Sequence, residues 1–308
     1  MDNILEIKDL KVWFPIKKGV FARTVGQVKA VDGVSFELHC GETLGVVGES
    51  GSGKSTVARV ITGLQKPTDG SFELRGKVAM VFQDPLGSLN PRMTIRAILQ
   101  EAISQRQSNK QTIEQLLQMV GLDAAALDKY PHEFSGGQRQ RICIAKALSL
   151  NPKLVILDEP VSALDVSVQA QILNLLKDLQ QELGLTCVFI GHGLGAVHYV
   201  SHRIAVMYMG RVVEIGDSDT LFSHPAHPYT RALLDAAPVA DYDQRHRRRM
   251  TLTGEAHSAA RGGCAFRDRC PFAGEACASL DPDLIPVDGD GTHLSACARA
   301  FRQEESAC

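Results

Sequence analysis

Residues 48–56, Gly-Glu-Ser-Gly-Ser-Gly-Lys-Ser-Thr, constrain the fold of this chain more than any other stretch. They follow an apolar run, residues 44–47, and precede an amphipathic run, residues 57–64. A Gly-x4-Gly-Lys-Ser pattern between a strand and a helix predicts a phosphate-binding loop, because glycines let backbone N–H groups surround phosphate oxygens and the helix N-terminus favours the same anion. Lys54 is expected to contact the β- and γ-phosphates, and Ser55 a Mg²⁺ ion. The alternative, an ordinary glycine-rich turn, is disfavoured by the flanking strand and helix.

The bulk composition excludes several classes of protein. The chain has 308 residues, enough for one large core with an appendage or for two domains. A net charge of −2 argues against a general polyanion binder. No apolar run approaches the ~18 residues of a membrane span. Residues 1–6 lack the features of a secretory signal, so we expect a cytoplasmic protein.

Polar residues follow several predicted buried strands. Residues 153–157 are almost continuously apolar and end in Asp158 and Glu159. Such strands belong to parallel sheets, whose ligands bind beyond the carboxyl ends of the strands. Asp158 is therefore expected to join a Mg²⁺ shell and Glu159 to polarise an attacking water. Gln83 and His192 also follow predicted strands, so the same edge should carry them, although a lone histidine is more often structural.

Two further segments carry candidate ligand contacts. Phe14 lies in a predicted loop, where stacking on a purine and a place at the rim of the core are equally open. Ser135 is a predicted N-cap, and Gly136 and Gly137 would expose N–H groups of the following helix as a second anion site. That motif is weak by itself, since many capped helices look similar. Residues 92–128 have helical periodicity.

Eight cysteines are distributed unevenly. Three lie in apolar stretches and are expected to be reduced core thiols: Cys40, Cys143 and Cys187. Cys308 is terminal and is treated as incidental. Four others lie in a Pro/Gly/Asp-rich segment that has too few apolar residues for a core of its own: Cys264, Cys270, Cys277 and Cys297. We expect this segment to need a cross-link or a bound metal to be ordered. Their spacing leaves zinc, an iron–sulfur cluster and unliganded thiols open. The basic run at residues 245–249 is interpreted as a solvated connector.

Over residues ~5–220, the order and spacing of these motifs resemble the nucleotide-binding subunits of ABC transporters. The resemblance rests on the phosphate loop, Gln83, the Ser-Gly-Gly-Gln at 135–138, Asp158-Glu159, the Ser-Ala-Leu-Asp at 162–165, and His192. It implies an α/β fold with an ABC-type P-loop NTPase core, in which a RecA-like parallel sheet is joined by an antiparallel β subdomain. A helical subdomain and a small Cys-rich C-terminal extension would complete the chain. The implied division is residues 1–83 and 151–235 for the core, 84–150 for the helical subdomain and 236–308 for the extension.

The same resemblance implies roles for individual residues. Residues in contact with ATP would be Phe14, stacked on adenine, together with Gly48, Glu49, Ser50, Gly51, Ser52, Gly53, Lys54, Ser55, Thr56 and Gln83. Mg²⁺ would be held by Ser55, Gln83 and Asp158. Glu159 would act as the catalytic base and His192 would sense the γ-phosphate. The signature residues Ser135, Gly136, Gly137 and Gln138 would close the ATP site of a second subunit, beside the D-loop residues Ser162, Ala163, Leu164 and Asp165.

Three segments, residues 83–92, 160–169 and 227–234, are similar to the dipeptide, oligopeptide and nickel importers within that family. The similarity is greatest to the second ATPase of dipeptide importers, including those for D-Ala-D-Ala. It implies an ATPase that energises import of peptides or related small solutes by ATP-driven dimer closure. The implied partners are a second, usually different ATPase chain, two transmembrane permeases and an extracytoplasmic binding protein, with no nucleic acid. The implied location is peripheral, on the cytoplasmic face of the bacterial inner membrane. The subfamily also implies a [4Fe-4S] cluster at Cys264, Cys270, Cys277 and Cys297, with zinc as the runner-up.

The segment Gly191-His192-Gly193 departs from the Ser-His-Asp that the family commonly has there. Two glycines loosen the backbone, and the carboxylate neighbour is lost. The hypothesis is that His192 is held less firmly and that the site hydrolyses ATP slowly alone. This keeps open a regulatory nucleotide-binding subunit with weak turnover. A soluble ABC ATPase that acts on nucleic acid or ribosomes is a further alternative. It fits less well, because the chain carries one ATPase half and its cysteines are C-terminal.

Overall fold

A computed structural model of the chain describes residues 3–19, 23–104, 112–236, 262–279, 283–287 and 289–297. The basic run at residues 245–249 and Cys308 lie outside these described residues. Two sheets and a set of surrounding helices make up the described structure. No helix within the described ranges combines the length and the apolar content needed to cross a membrane.

The smaller sheet is antiparallel. Its strands are β1 (Asn3–Lys18), β2 (Arg23–His39) and β4 (Asp69–Leu74), in the order β2-β1-β4. Leu5 and Ile7 are buried, and so are Leu10 and Val12, as the sequence pattern predicts for a half-buried strand, but an irregularity in the pairing between Ile7 and Leu10 interrupts the alternation. The strand is longer than predicted, because its pairing with β2 continues to Lys18 and includes Phe14 opposite Val28. The prediction that Phe14 lies in a loop is therefore wrong.

The larger sheet is mixed. Its strands are β3 (Thr43–Val47), β5 (Val78–Val81), β6 (Leu154–Asp158), β7 (Thr186–Gly191), β8 (Arg203–Tyr208), β9 (Arg211–Asp217), β10 (Ile285–Pro286) and β11 (Leu294–Ser295). The order is β10-β11-β9-β8-β3-β7-β6-β5. Neighbours from β8 to β5 are parallel, and β9, β10 and β11 extend the sheet with antiparallel pairs. The predicted parallel sheet is confirmed, with this antiparallel edge.

Helices cover the larger sheet. The α-helices are α1 (Lys54–Ile61), α2 (Pro85–Ser88), α3 (Ile95–Ser104), α4 (Ile113–Met119), α5 (Gly136–Ser149), α6 (Val166–Leu183), α7 (Leu194–Val200), α8 (Ser218–Ser223), α9 (Pro228–Ala236) and α10 (Ala276–Ser279). Short 3-10 turns are Ala124–Asp128, Pro131–Glu133 and Arg267–Arg269.

Successive residues of a central strand belong to different cores. Along β6, Val155 and Leu157 join a cluster with the helices α3 to α7, whereas Leu154 and Ile156 join a cluster with α1 and the smaller sheet. All five residues of β6 are buried, which explains why its sequence is continuously apolar rather than alternating. With both faces covered, its polar C-terminal residue, Asp158, lies at the edge of the sheet.

The C-terminal segment packs on this framework. Strand β11 adds to the edge of the larger sheet by pairing with β9. Phe266 is 1% exposed, and its ring packs 5.3 Å from that of Tyr208. His293 is buried and its Nε2 lies 2.7 Å from a carboxylate oxygen of Glu214. The C-terminal segment, for which the sequence predicts a cross-link or bound metal, is therefore docked on the core by these contacts.

Candidate functional site

The phosphate-binding loop connects β3 to α1, which is the strand–loop–helix arrangement that the sequence predicts. Gly53 is the N-cap of α1, with a left-handed φ of 103°. A Cβ at Gly53 would overlap the carbonyl oxygen of Ala30 on β2, so both its conformation and its surroundings require glycine. The other loop residues expected to contact ATP lie in the same turn or in the first turn of α1: Ser50, Gly51, Ser52 and Thr56.

The Lys54 side chain lies within the loop. It is 4% exposed, and its ammonium donates hydrogen bonds to the carbonyl oxygens of Gly48 at 2.7 Å and Glu49 at 2.9 Å. Burial lowers the pKa of Lys54, while the nearby carboxylates of Glu159 and Asp158 oppose that shift. The loop thus holds a desolvated cation at its centre.

A hydroxyl and a carboxylate meet beside the loop. Ser55 Oγ donates a hydrogen bond to Asp158 Oδ1 at 3.0 Å. Asp158 is 7% exposed, and burial raises the pKa of its carboxyl group. A divalent cation would offset the free-energy cost of burying the charged carboxylate. The hydroxyl and the carboxylate both offer oxygen ligands of the type that Mg²⁺ prefers.

Glu159 is held from two sides. Gln83 Nε2 donates to its Oε2 at 2.7 Å, and His192 Nε2 lies 2.6 Å from its Oε1. The side chain of Glu159 is 8% exposed, whereas that of His192 is 46% exposed. Glu159 also has a positive φ of 50°, a conformation that is uncommon outside glycine and often found at functional sites. The structure thus brings three of the expected site residues together at the carboxyl edge of the sheet.

The Ser-Gly-Gly-Gln segment forms the first turn of α5. Ser135 is its N-cap, as predicted, and makes a capping box with Gln138. A Cβ at Gly136 would lie 3.2 Å from the side chain of Leu164, and one at Gly137 would overlap that of Val168. The glycines therefore let α5 approach the segment before α6 closely. Among the described residues, no hydrogen bond joins this turn to the phosphate loop.

The segment before α6 is hydrogen-bonded to the carboxyl edge of the sheet. Ser162 Oγ donates a hydrogen bond to the backbone oxygen of Glu159 at 3.1 Å. Asp165 is the N-cap of α6, and its backbone oxygen accepts from Gln169 N at 2.8 Å. Ala163 lies in the turn between them. Phe14 lies on β1, opposite Val28 of β2, and is 40% exposed.

Two residues that the sequence did not single out contact the loop. Tyr229, fully buried in α9, accepts a hydrogen bond from the backbone N–H of Glu49 at 2.8 Å. Arg269, in the C-terminal segment, donates two hydrogen bonds to the Glu49 carboxylate at 2.8 and 2.9 Å. Glu49 itself could have indicated such a contact in the sequence. An acid in an anion-binding loop predicts that a cationic side chain from elsewhere in the chain neutralises it.

The expected metal cluster in the C-terminal segment is wrong. Within the described ranges, no group of three or more His, Cys, Asp or Glu side chains is placed to hold a metal ion. The four cysteines of that expectation, Cys264, Cys270, Cys277 and Cys297, are described and are partly exposed. The segment instead contacts the core through Phe266, Arg269 and His293, which its own composition does not predict.

Comparison with known proteins identifies the family. A model of the ABC transporter family matches residues 31–162, and a model of the oligopeptide/dipeptide transporter C-terminal region matches residues 213–277. The oligopeptide transport ATP-binding protein AppF of Bacillus subtilis is 47% identical, covering 96% of this chain and 97% of the relative. OppF of Salmonella typhimurium, with the same description, is 48% identical and covers 96% of each chain. The ATP-binding cassette MJ0796, solved as a dimer bound to ADP and Pi, has a TM-score of 0.59 and 28% identity, covering 70% of this chain and 98% of its own.

The sheet, the phosphate loop and the acids at the strand ends therefore have the arrangement of an ABC ATPase. The relatives of AppF and OppF type agree with this chain over nearly their whole length. The chain belongs to the ABC transporter family, among the ATP-binding proteins of oligopeptide and dipeptide transport.

Proposed function

We propose that this chain is the ATP-hydrolysing subunit of an ABC importer for peptides. The observation that carries the proposal is the buried Glu159 carboxylate, held by Gln83 and His192 beside the phosphate loop. Names of the relatives, which are transport ATP-binding proteins for oligopeptides and dipeptides, support the substrate class. They also favour a transport subunit over an ATPase that acts on nucleic acid.

In the proposed binding step, the loop takes the triphosphate of ATP. Backbone N–H groups and the Lys54 ammonium supply positive charge to it. Ser55, Gln83 and Asp158 offer hydroxyl, amide and carboxylate oxygens, a donor set that fits Mg²⁺. Since Mg²⁺ in such sites takes most of its ligands from phosphates and water, one protein carboxylate is sufficient. The metal would neutralise charge on the phosphates.

In the proposed chemical step, Glu159 orients and polarises a water for attack on the γ-phosphate. A general base must lie within hydrogen-bond reach of the attacking water, in a suitable orientation. The hydrogen bond from Gln83 and the contact with His192 fix the orientation of the Glu159 carboxylate. The 46% exposure of His192 leaves its ring accessible to the γ-phosphate. The contact between His192 and Glu159 shows that the flanking glycines do not separate the two side chains. The weakly active regulatory subunit stays an alternative, which the turnover of Gly193→Asp tests.

In the proposed assembly, Ser135, Gly136, Gly137 and Gln138 close the ATP site of a second ATPase chain. The first turn of α5 would present N–H groups to that nucleotide, with Ser162, Ala163, Leu164 and Asp165 beside it. Two permeases and an extracytoplasmic binding protein would complete the importer, with this chain on the cytoplasmic face of the bacterial inner membrane. We propose the division into core (1–83, 151–235), helical subdomain (84–150) and C-terminal extension (236–308) for these tasks.

The test separates nucleotide binding from hydrolysis with Glu159→Gln. The full chain, alone and in the assembled importer, is labelled with a photoreactive radioactive ATP analogue, and the label on this chain is analysed as triphosphate or diphosphate. We expect the variant to bind the analogue within about twofold of the unaltered chain and to lose hydrolysis about 100-fold or more. Glu73→Gln, an exposed acid on β4, serves as the matched control and should retain both.

Two outcomes would contradict the proposal. If the unaltered chain bound no nucleotide in the presence of Mg²⁺, the loop would not have the assigned task. If Glu159→Gln left conversion to diphosphate unchanged on this chain, another group would be the base. The substrate class is tested separately, by peptide uptake in cells that carry the variant.

A further inference from the structure

Glu49 is an acid within an anion-binding loop. It directly follows Gly48, and its backbone oxygen accepts a hydrogen bond from the Lys54 ammonium. A carboxylate near a bound triphosphate opposes binding, because like charges repel most strongly where solvent is scarce. The loop therefore needs something that cancels this charge.

The cancelling group comes from a distant part of the sequence. Arg269 lies at the end of the 3-10 turn Arg267–Arg269 in the C-terminal segment. Its two terminal nitrogens each donate to one oxygen of Glu49, at 2.8 and 2.9 Å, in a bidentate pair. The Arg269 side chain is 9% exposed and that of Glu49 is 31% exposed. Bidentate pairing of this kind is stronger and more directional than a single contact.

An aromatic group sets the position of Arg269. Its guanidinium carbon lies 5.9 Å from the centre of the Tyr208 ring, which also packs on Phe266 and on Tyr229. The hydroxyl of Tyr229 in turn accepts from the backbone N–H of Glu49. Glu49 is thus held at its backbone and at its carboxylate by residues outside the loop.

We propose that Arg269 is a positioning residue for the phosphate loop and that, through it, the C-terminal segment sets the affinity of this chain for ATP. The pair cancels the negative charge of Glu49 and turns its carboxylate away from the phosphates. This inference rests on the proposed function, since it assigns a further determinant of the same nucleotide site. It gives the C-terminal segment a task in nucleotide binding.

The test is a double-mutant cycle on the full chain, with the dissociation constant for ATP in the presence of Mg²⁺ measured by calorimetry. Arg269→Met leaves the carboxylate of Glu49 uncompensated and should weaken ATP binding by about tenfold, equivalent to about 1.4 kcal/mol. Glu49→Gln removes the negative charge and leaves Arg269 as a net positive charge beside the loop, so it should bind ATP about twofold or more tightly than the unaltered chain. The double variant, whose pair is neutral as in the unaltered chain, should bind ATP within about twofold of the unaltered chain.

Two controls distinguish charge from folding. Arg267→Met changes the neighbouring arginine, whose guanidinium bonds to the backbone oxygens of Gly262 and Ala278 within the C-terminal segment, and should leave ATP affinity unchanged. Adenosine carries no phosphate, so its binding should not respond to Arg269→Met. If Arg269 had a purely structural role, Arg269→Met would weaken the binding of both ATP and adenosine.

The outcomes separate this inference from the proposed function. If the unaltered chain binds ATP but Arg269→Met binds it equally well, the inference fails and the proposed function stands. A double variant as weak as Arg269→Met would also overturn it, because Arg269 would then not act through Glu49. If Arg269→Met does not fold, Glu49→Gln still tests whether the charge of Glu49 opposes ATP binding. Weaker ATP binding by Glu49→Gln would contradict the repulsion argument.

Discussion

Glu214 on β9 is expected to contribute more to stability than most single side chains. It is fully buried and accepts three hydrogen bonds, from the backbone N–H groups of Ala226 at 2.7 Å and His227 at 2.9 Å and from His293 Nε2 at 2.7 Å. One carboxylate therefore joins three segments: strand β9, the turn before α9 and the residue before β11. Replacing Glu214 by Ala leaves all three donors without this acceptor.

The magnitude follows from the number and kind of these contacts. Hydrogen bonds to a charged group contribute about 1.5–3 kcal/mol each, and loss of one partner from a buried charged network costs about 3–5 kcal/mol in total. We expect Glu214→Ala to lower the free energy of unfolding by about 4 kcal/mol, a large part of the ~5–15 kcal/mol that a folded domain has. His293→Ala removes only one of the three bonds and should cost about 1–2 kcal/mol.

Urea unfolding followed by circular dichroism measures the loss. Hydrogen exchange should in addition show faster exchange at the amides of Ala226 and His227, which lose their acceptor. Ser295→Ala is the matched control on β11, because its buried hydroxyl has no hydrogen-bond partner among the described residues and its removal should cost little. A loss below about 1 kcal/mol for Glu214→Ala would refute the reasoning, since it would mean that water replaces the carboxylate at no cost.

Three further predictions concern pH and the glycines. Burial lowers the pKa of His227 from 6.5 to about 4, so between these pH values only the unfolded chain binds this proton. The free energy of unfolding should therefore fall by up to about 3 kcal/mol as the pH drops from 6.5 to about 4. In His227→Gln, the urea concentration at the unfolding midpoint should depend less on pH over this range. Gly193→Asp should raise ATP turnover about twofold or more by stiffening the backbone beside His192, and its Cβ meets open space; an unchanged phosphate-release rate would count against that hypothesis. Gly53→Ala should weaken ATP binding about tenfold or more, because its Cβ overlaps the Ala30 carbonyl; calorimetry with normal affinity would show that the loop can adapt.

Local patterns sufficed for the central part of the fold. The apolar run ending at Asp158 predicted a buried parallel strand, and β6 is fully buried on both faces. The sequence also placed Ser135 at a helix N-cap, because a capping box is encoded within four residues. The roles assigned to Glu159 and His192 stay predictions, although the structure brings the two side chains into contact.

The failures have a common physical cause, which is dependence on distant partners. The neighbours of Phe14 in the sequence predict a loop, yet β2 supplies the pairing that extends the strand. The contact between Glu49 and Arg269 spans 220 positions and leaves no trace in local periodicity. The composition of the C-terminal segment points to its cysteines as the means of ordering it, because that composition does not show that the core provides a surface for Phe266.

Strand β11 has a consequence for how this chain behaves when it is shortened. Its two residues, Leu294 and Ser295, cover Ile215 and Glu214 along the outer edge of β9. A chain that stopped before this strand would leave backbone donors and acceptors of β9 bare, and such an edge is a template for pairing between molecules. Truncated forms should therefore self-associate during purification, and a soluble ATPase core is best prepared with this short strand retained.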